Sequence, residues 1–139
     1  LLILEHHLPS PPTKGDKIRS FHWLEHLAKR YRVFLGTFID DPNDIQHEAQ
    51  VARYCEEACI RQLSKAGAAV GMARAYAAGE PLTVGNYADR EMQAWVNGII
   101  RRRGIERVLV FSSTMAQFVM GASAEGCAVV ADLVGNPLP

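Results

Sequence analysis

Five short runs rich in Val, Ile, Leu and Phe recur along the chain: Leu1–Glu5, Arg32–Ile39, Ala58–Leu63, Arg107–Ser112 and Cys127–Leu133. Their hydrophobicity is nearly continuous rather than alternating, which is the pattern of strands buried on both faces. Helical patterns separate them. Ile18, Phe21, Leu24 and Ala28 recur at helical spacing and form one apolar stripe. Asp41 is placed to cap a second helix that has Pro42 at its first position, with Ile45, Ala49, Ala52 and Cys55 as the inward face. Ser64–Ala78 reads as an Ala-rich helix broken by Gly79-Glu-Pro81. A longer helix, Tyr87 to Arg102, carries Met92, Trp95 and Ile99 on one stripe and ends at Gly104, where a C-terminal cap glycine belongs. A short helix follows Ser113. Strand–helix alternation with brief connections predicts an α/β fold, a Rossmann-like doubly wound parallel sheet in three α/β/α layers. In such sheets ligands bind beyond the carboxyl ends of the strands.

Composition narrows the classes of function. The chain has 139 residues, 48% apolar and 22% charged, which suits a single globular domain spanning 1–139. Formal net charge is zero, so there is no broad basic field for nucleic acid. The longest apolar runs reach about half the length of a membrane-crossing helix. Three cysteines, Cys55, Cys59 and Cys127, are an odd number without metal-knuckle spacing. They read as reduced thiols of a cytoplasmic protein without structural zinc. A chain that opens on strand residues without Met reads as part of something longer.

The loop after the first strand, Leu8-Pro-Ser-Pro-Pro-Thr-Lys-Gly-Asp-Lys-Ile-Arg-Ser-Phe21, leads into the first helix. The first N–H groups of a helix lack internal partners and carry partial positive charge, so they suit a phosphate or carboxylate. Lys14, Lys17 and Arg19 crowd the same place, and Asp16 is a good cap for a helix beginning at Lys17. One glycine, Gly15, fits neither G-x-G-x-x-G nor a P-loop. At the far edge, Ser112 and Ser113 end the fourth strand, and Asp132 ends the fifth as its one carboxylate. A carboxylate there is placed to deprotonate a hydroxyl or stabilise positive charge; the alternative is a strand-end Asp bonding nearby N–H groups. For Ser112 and Ser113 the alternative is a turn capping the next helix. His6 and His7 follow the first strand, near the expected cleft. His22 and His26 share one helix face without a third ligand. Asp40-Asp41-Pro42-Asn43-Asp44 reads as a strand end followed by a capped helix, and Arg101–Arg103 as charges opposite a helix dipole.

The loop, with Leu35-Gly-Thr-Phe-Ile-Asp-Asp-Pro42 and Val110-Phe-Ser-Ser-Thr-Met-Ala-Gln117, resembles the family-4 type glycosyltransferases. More narrowly, it is similar to the bacterial sugar transferases of exopolysaccharide and PEP-CTERM (exosortase) gene clusters. The resemblance implies a GT-B architecture, two Rossmann-like domains facing across a cleft. This chain would be the N-terminal, acceptor-side domain, and its C-terminal nucleotide-sugar domain would be absent. The implied reaction moves a sugar from a nucleotide-sugar donor to a hydroxyl of a saccharide or lipid-linked acceptor, with peripheral contact at the inner membrane. No cofactor and no metal are implied. Gly15 and Asp16 take the place of the family's Gly-rich loop, with Lys14 and Arg19 as the phosphate-neutralising candidates. Ser112 and Ser113 stand at the edge that contacts sugar or acceptor. Asp132 lies near the position where many members carry a histidine close to the reacting sugar.

Two other classes fit the same fold. A flavodoxin-like binding or regulatory module would need an acidic pocket where this chain has a basic loop. A nucleotide-binding epimerase or dehydrogenase would need two or three glycines at the first turn; Asp40 supplies only its acidic residue ending the second strand.

Overall fold

The computed structural model describes residues 1–13, 15–121 and 126–132. Strand β1 (Leu2–Glu5) lies at the centre of a parallel sheet, with β2 (Phe34–Ile39) and β3 (Glu57–Gln62) on one side and β4 (Arg107–Phe111) and β5 (Ala128–Asp132) on the other. The chain steps outward from β1 to β3, then returns to start again at β4. That reversal makes the carboxyl ends of β1 and β4 the topological switch point of a doubly wound sheet, the place where such sheets form their ligand crevice. The five expected strands all form, each within two residues of its expected ends over the described residues.

Alternation along each strand builds two cores. Leu2 and Leu4 of β1 join Phe34, Phe38, Val108 and Val110 beneath α5 (Arg90–Arg103), which contributes Met92, Val96 and Ile99. Ile3 joins Leu35, Ile39 and Phe111 beneath α1 (Gly15–Ala28) and α2 (Glu48–Ala52), where Leu24 and Val51 close the layer. A sheet buried on both faces has no room for polar alternation, which is why the strand sequences read as unbroken apolar runs. Helix ends follow local chemistry. Ser64 accepts a hydrogen bond from the Gly67 N–H at the start of α3 (Lys65–Ala78), and Asp89 accepts one from the Met92 N–H at the start of α5. Gly79 and Gly104 end these helices at φ 71° and 57°, in the left-handed region that favours glycine.

Expectations for three helical segments are corrected. Helix α1 begins at Gly15, so Asp16 lies inside the first turn and is not the cap. Its inward face is Lys17, Ser20 and Leu24, while Ile18 is 41% exposed, because the Lys17 side chain turns inward to Asp44. The second helical segment is a 3₁₀ turn, Pro42–His47, followed by the short α2. Ile45, Ala49 and Ala52 face solvent there, and the buried positions are Asp44 and Val51. Asp41 does cap this segment, accepting from the Asn43 N–H at 2.9 Å. The long helix starts at Arg90, since an extra turn, α4 (Leu82–Asn86), occupies the residues before it.

Helix α4 crosses α3 at two glycines. A Cβ on Gly85 would meet the Gly71 carbonyl oxygen at 2.4 Å, and one on Gly71 would meet the Gly85 oxygen at 2.0 Å. Among the described residues no helix is long and apolar enough to cross a membrane. An exposed helical Gly→Ala change ordinarily stabilises by about 1 kcal/mol. Gly85→Ala is expected to reverse that sign and lower stability by about 1–3 kcal/mol through overpacking, read as a urea midpoint.

Candidate functional site

Strand β1 delivers Glu5, His6 and His7 to the switch point. Parallel register places Glu5 beside Thr37 of β2 and Phe111 of β4, and Phe111 beside Asp132 of β5. Alternation turns Glu5 toward the α1 face, where the first turns of α1 cover it; Glu5 is only 4% exposed. Burial raises its carboxyl to about 7, against the smaller opposing pull of His6 and the Ser20 hydroxyl. The His6 Nδ1 lies 3.4 Å from Glu5 Oε1, and the His7 Nδ1 lies 3.3 Å from Asp40 Oδ2 at the end of β2. The two imidazole rings are tilted by 46° with centroids 3.9 Å apart. Burial, and then the neighbouring His6, lower the pKa of His7, which keeps its ring neutral around pH 7. Tyr87 stands edge-on to His6, its phenol pushed up to about 12 by burial and by the Asp40 and Glu5 carboxylates.

Four buried polar atoms converge at the ends of these two strands. Glu5 Oε2, His6 Nδ1, His7 Nδ1 and Thr37 Oγ1 have no hydrogen-bond partner. The two imidazole nitrogens are within ion-pair distance of carboxylates but are not aligned for a hydrogen bond. Buried polar groups are normally satisfied, so these four atoms single out this end of the sheet as the candidate site.

The expected anion cradle takes a different form. Lys17 Nζ donates to Asp44 Oδ2 at 2.6 Å, both residues buried. Arg19 is ion-paired with Asp132, which ties α1 to the end of β5. Both cations are thus neutralised by carboxylates, and Asp16 adds a negative charge at the first turn of α1. Lys14 lies outside the described residues. Among the described residues, nothing beyond its own stretch of chain comes within 4 Å of where a Cβ would project from Gly15, so packing against them does not require the glycine. Ser112 serves as a cap: its Oγ lies 2.9 Å from Thr114 Oγ1 and accepts from the Thr114 N–H, and its N–H donates to the Asp132 carbonyl. It holds φ 87°, an unusual value for a residue with a side chain, at the rim of the crevice. Ser113 begins the 3₁₀ helix Ser113–Val119 and is exposed.

Other groups singled out by sequence lie elsewhere. His22 and His26 are exposed on α1, beside Arg19 and Trp23. Arg102 and Arg103 pair with Glu57 and Glu56 at the last turn of α5. Burial pushes the Cys55 and Cys59 thiols up to about 12 and about 11, making them poor nucleophiles. Sequence reasoning placed His6 and His7 near the cleft but missed Glu5 and the convergence with Asp16, Asp40 and Tyr87. The signal was present: a Glu-His-His exit from the central strand of a sheet whose ligand edge is its carboxyl end.

Two outcomes follow. Folded Glu5 holds its proton to about pH 7, whereas the unfolded chain releases it near 4.5, so stability falls as pH rises through this window. The fall is on the order of 3 kcal/mol, and Glu5→Gln should abolish it, as urea midpoints on either side of the window will show. Asp44→Ala strands a buried ammonium and should cost about 3–5 kcal/mol, whereas the double variant Lys17→Met/Asp44→Leu should recover most of it. Compared with known proteins, the sequence matches no family model, and no curated protein or solved structure matches it.

Proposed function

We propose that this chain is the acceptor-side domain of a bacterial glycosyltransferase, binding a saccharide or lipid-linked acceptor opposite a separate nucleotide-sugar domain in exopolysaccharide synthesis. The observation that carries the reading is the cluster of Glu5, His6, His7, Asp16 and Asp40 at the switch point of the sheet. Carboxylates and the neutral His7 imidazole accept hydrogen bonds from hydroxyls, and the edge of Tyr87 adds an aromatic wall. A diphosphate would instead need open cations, and Lys17 and Arg19 are taken by Asp44 and Asp132. That division of labour suits a domain that holds the hydroxyl partner while another domain grips the donor phosphates.

In the proposed reaction the acceptor oxygen forms a bond to the anomeric carbon while the bond from that carbon to the diphosphate breaks. The hydroxyl proton must leave to a base. His7 beside Asp40 is placed for that task, with its ring nitrogen unprotonated around pH 7. Asp132, held by Arg19 at the end of β5, offers a second carboxylate on the far side of the crevice. Ser112 and Ser113 line the rim between them.

The test uses the full-length protein with UDP-, GDP- and dTDP-sugars, read by ligand-induced thermal shift and by transfer to oligosaccharide acceptors. A shift with one sugar nucleotide is expected, with transfer falling at least about 100-fold in His7→Ala if it is the base. Residues 1–139 alone should bind acceptor without turnover. A shift with a flavin or dinucleotide and none with sugar nucleotides would overturn the reading.

A further inference from the structure

The geometry points to a divalent metal site formed by His6, His7 and Asp16, of the borderline-soft class that imidazole and carboxylate favour, with zinc as the best match. One ring nitrogen from each histidine and one carboxylate oxygen of Asp16 lie within 4.8 Å of one another. Bonds of about 2.0–2.1 Å in a tetrahedral site put ligand atoms about 3.4 Å apart, so side-chain rotation of about an ångström closes the set. These are the only three His, Cys, Asp or Glu residues that gather in this way among the described residues. The His22–His26 pair on α1, although spaced for a metal in sequence, does not gather with a third ligand.

A second observation points the same way. The Nδ1 atoms of His6 and His7 are buried and lack a hydrogen bond, as is Glu5 Oε2 beside them. Glu5 and Asp40 each stand within 3.4 Å of one imidazole, so a carboxylate backs either ring. Neither carboxylate is aligned for a hydrogen bond to the ring, but their negative charge favours a cation held between the imidazoles. Three carboxylates thus surround two imidazoles, while the Lys17 ammonium is turned away to Asp44. The three ligands come from a strand exit and the first turn of a helix packed on the same sheet, so the fold itself brings them together. A three-residue set leaves a coordination position open toward the crevice. The inference does not depend on the sugar-transfer reading, because metal binding can be measured without donor or acceptor; with the metal bound, His7 is a ligand and no longer the base.

The experiment titrates chelator-treated protein with ZnCl2 by calorimetry and with CoCl2 by visible absorption. One equivalent of each should bind, with a cobalt spectrum free of thiolate charge-transfer bands. Asp16→Asn, at an exposed position that leaves the apo melting curve unchanged, should weaken zinc at least about tenfold, the loss that even an outer partner causes. His7→Ala should do the same, whereas the double variant His22→Ala/His26→Ala should bind as the parent does. Absence of binding, retention of full affinity in Asp16→Asn and His7→Ala, or thiolate bands from the cysteines would each overturn the proposal.

Discussion

The buried ion pair between Lys17 and Asp44 sets the position of helix α1, and the crevice depends on where that helix sits. An unpaired ammonium or carboxylate inside a protein is costly, so the two must meet, which restricts the rotation and height of α1. In that position Ser20 and Leu24 also point inward, Glu5 is covered, and Asp16 is carried to the two histidines. Arg19 and Asp132 tie the other side of the same helix to β5. The segment after β2 is organised around the pair as well. Asp44 turns inward from a 3₁₀ turn, and Ile45 is left facing solvent.

This arrangement changes the chemistry of the crevice. A helix N-terminus ringed by Lys and Arg in sequence looks like a phosphate cradle. Once folded, two of those cations are spent on carboxylates, and what lines the switch point is acidic groups and imidazoles. Such a lining favours hydroxyls and divalent cations over free phosphate. The Glu5 carboxyl shows how strongly the fold acts on this place, since burial, outweighing the pull of His6 and Ser20, raises it to about 7. A carboxyl that titrates near neutrality can take up or release a proton at little cost, which is what a site for acid–base work requires.

Much of the fold was legible in advance. Parallel strands covered on both faces must be apolar throughout, so Leu2–Glu5 and Arg107–Phe111 could be read as strands from composition alone. Ser64, Asp89, Gly79 and Gly104 act through bonds and dihedrals within a few residues, and these ends fell where or close to where they were expected. The inner faces of the first two helical segments were misread. Periodicity assigns apolar residues to the core, and here Lys17 and Asp44 displaced Ile18 and Ile45 because each charge found its partner twenty-seven residues away. No local pattern reports a pairing at that distance.

The same division holds for the candidate site. Sequence by itself determined the strand–helix alternation and hence the parallel sheet. With it came the carboxyl edge as the place for ligands and the histidines at the exit of β1, because each follows from short-range propensity and from burial on two faces. Only the tertiary structure decided which charges remain available. Glu5 meets Thr37 through sheet register, His7 meets Asp40 across two strand ends, and Arg19 meets Asp132 across 113 positions of chain. Electrostatic pairing acts through space, so the charge that a ligand encounters is settled when the chain folds.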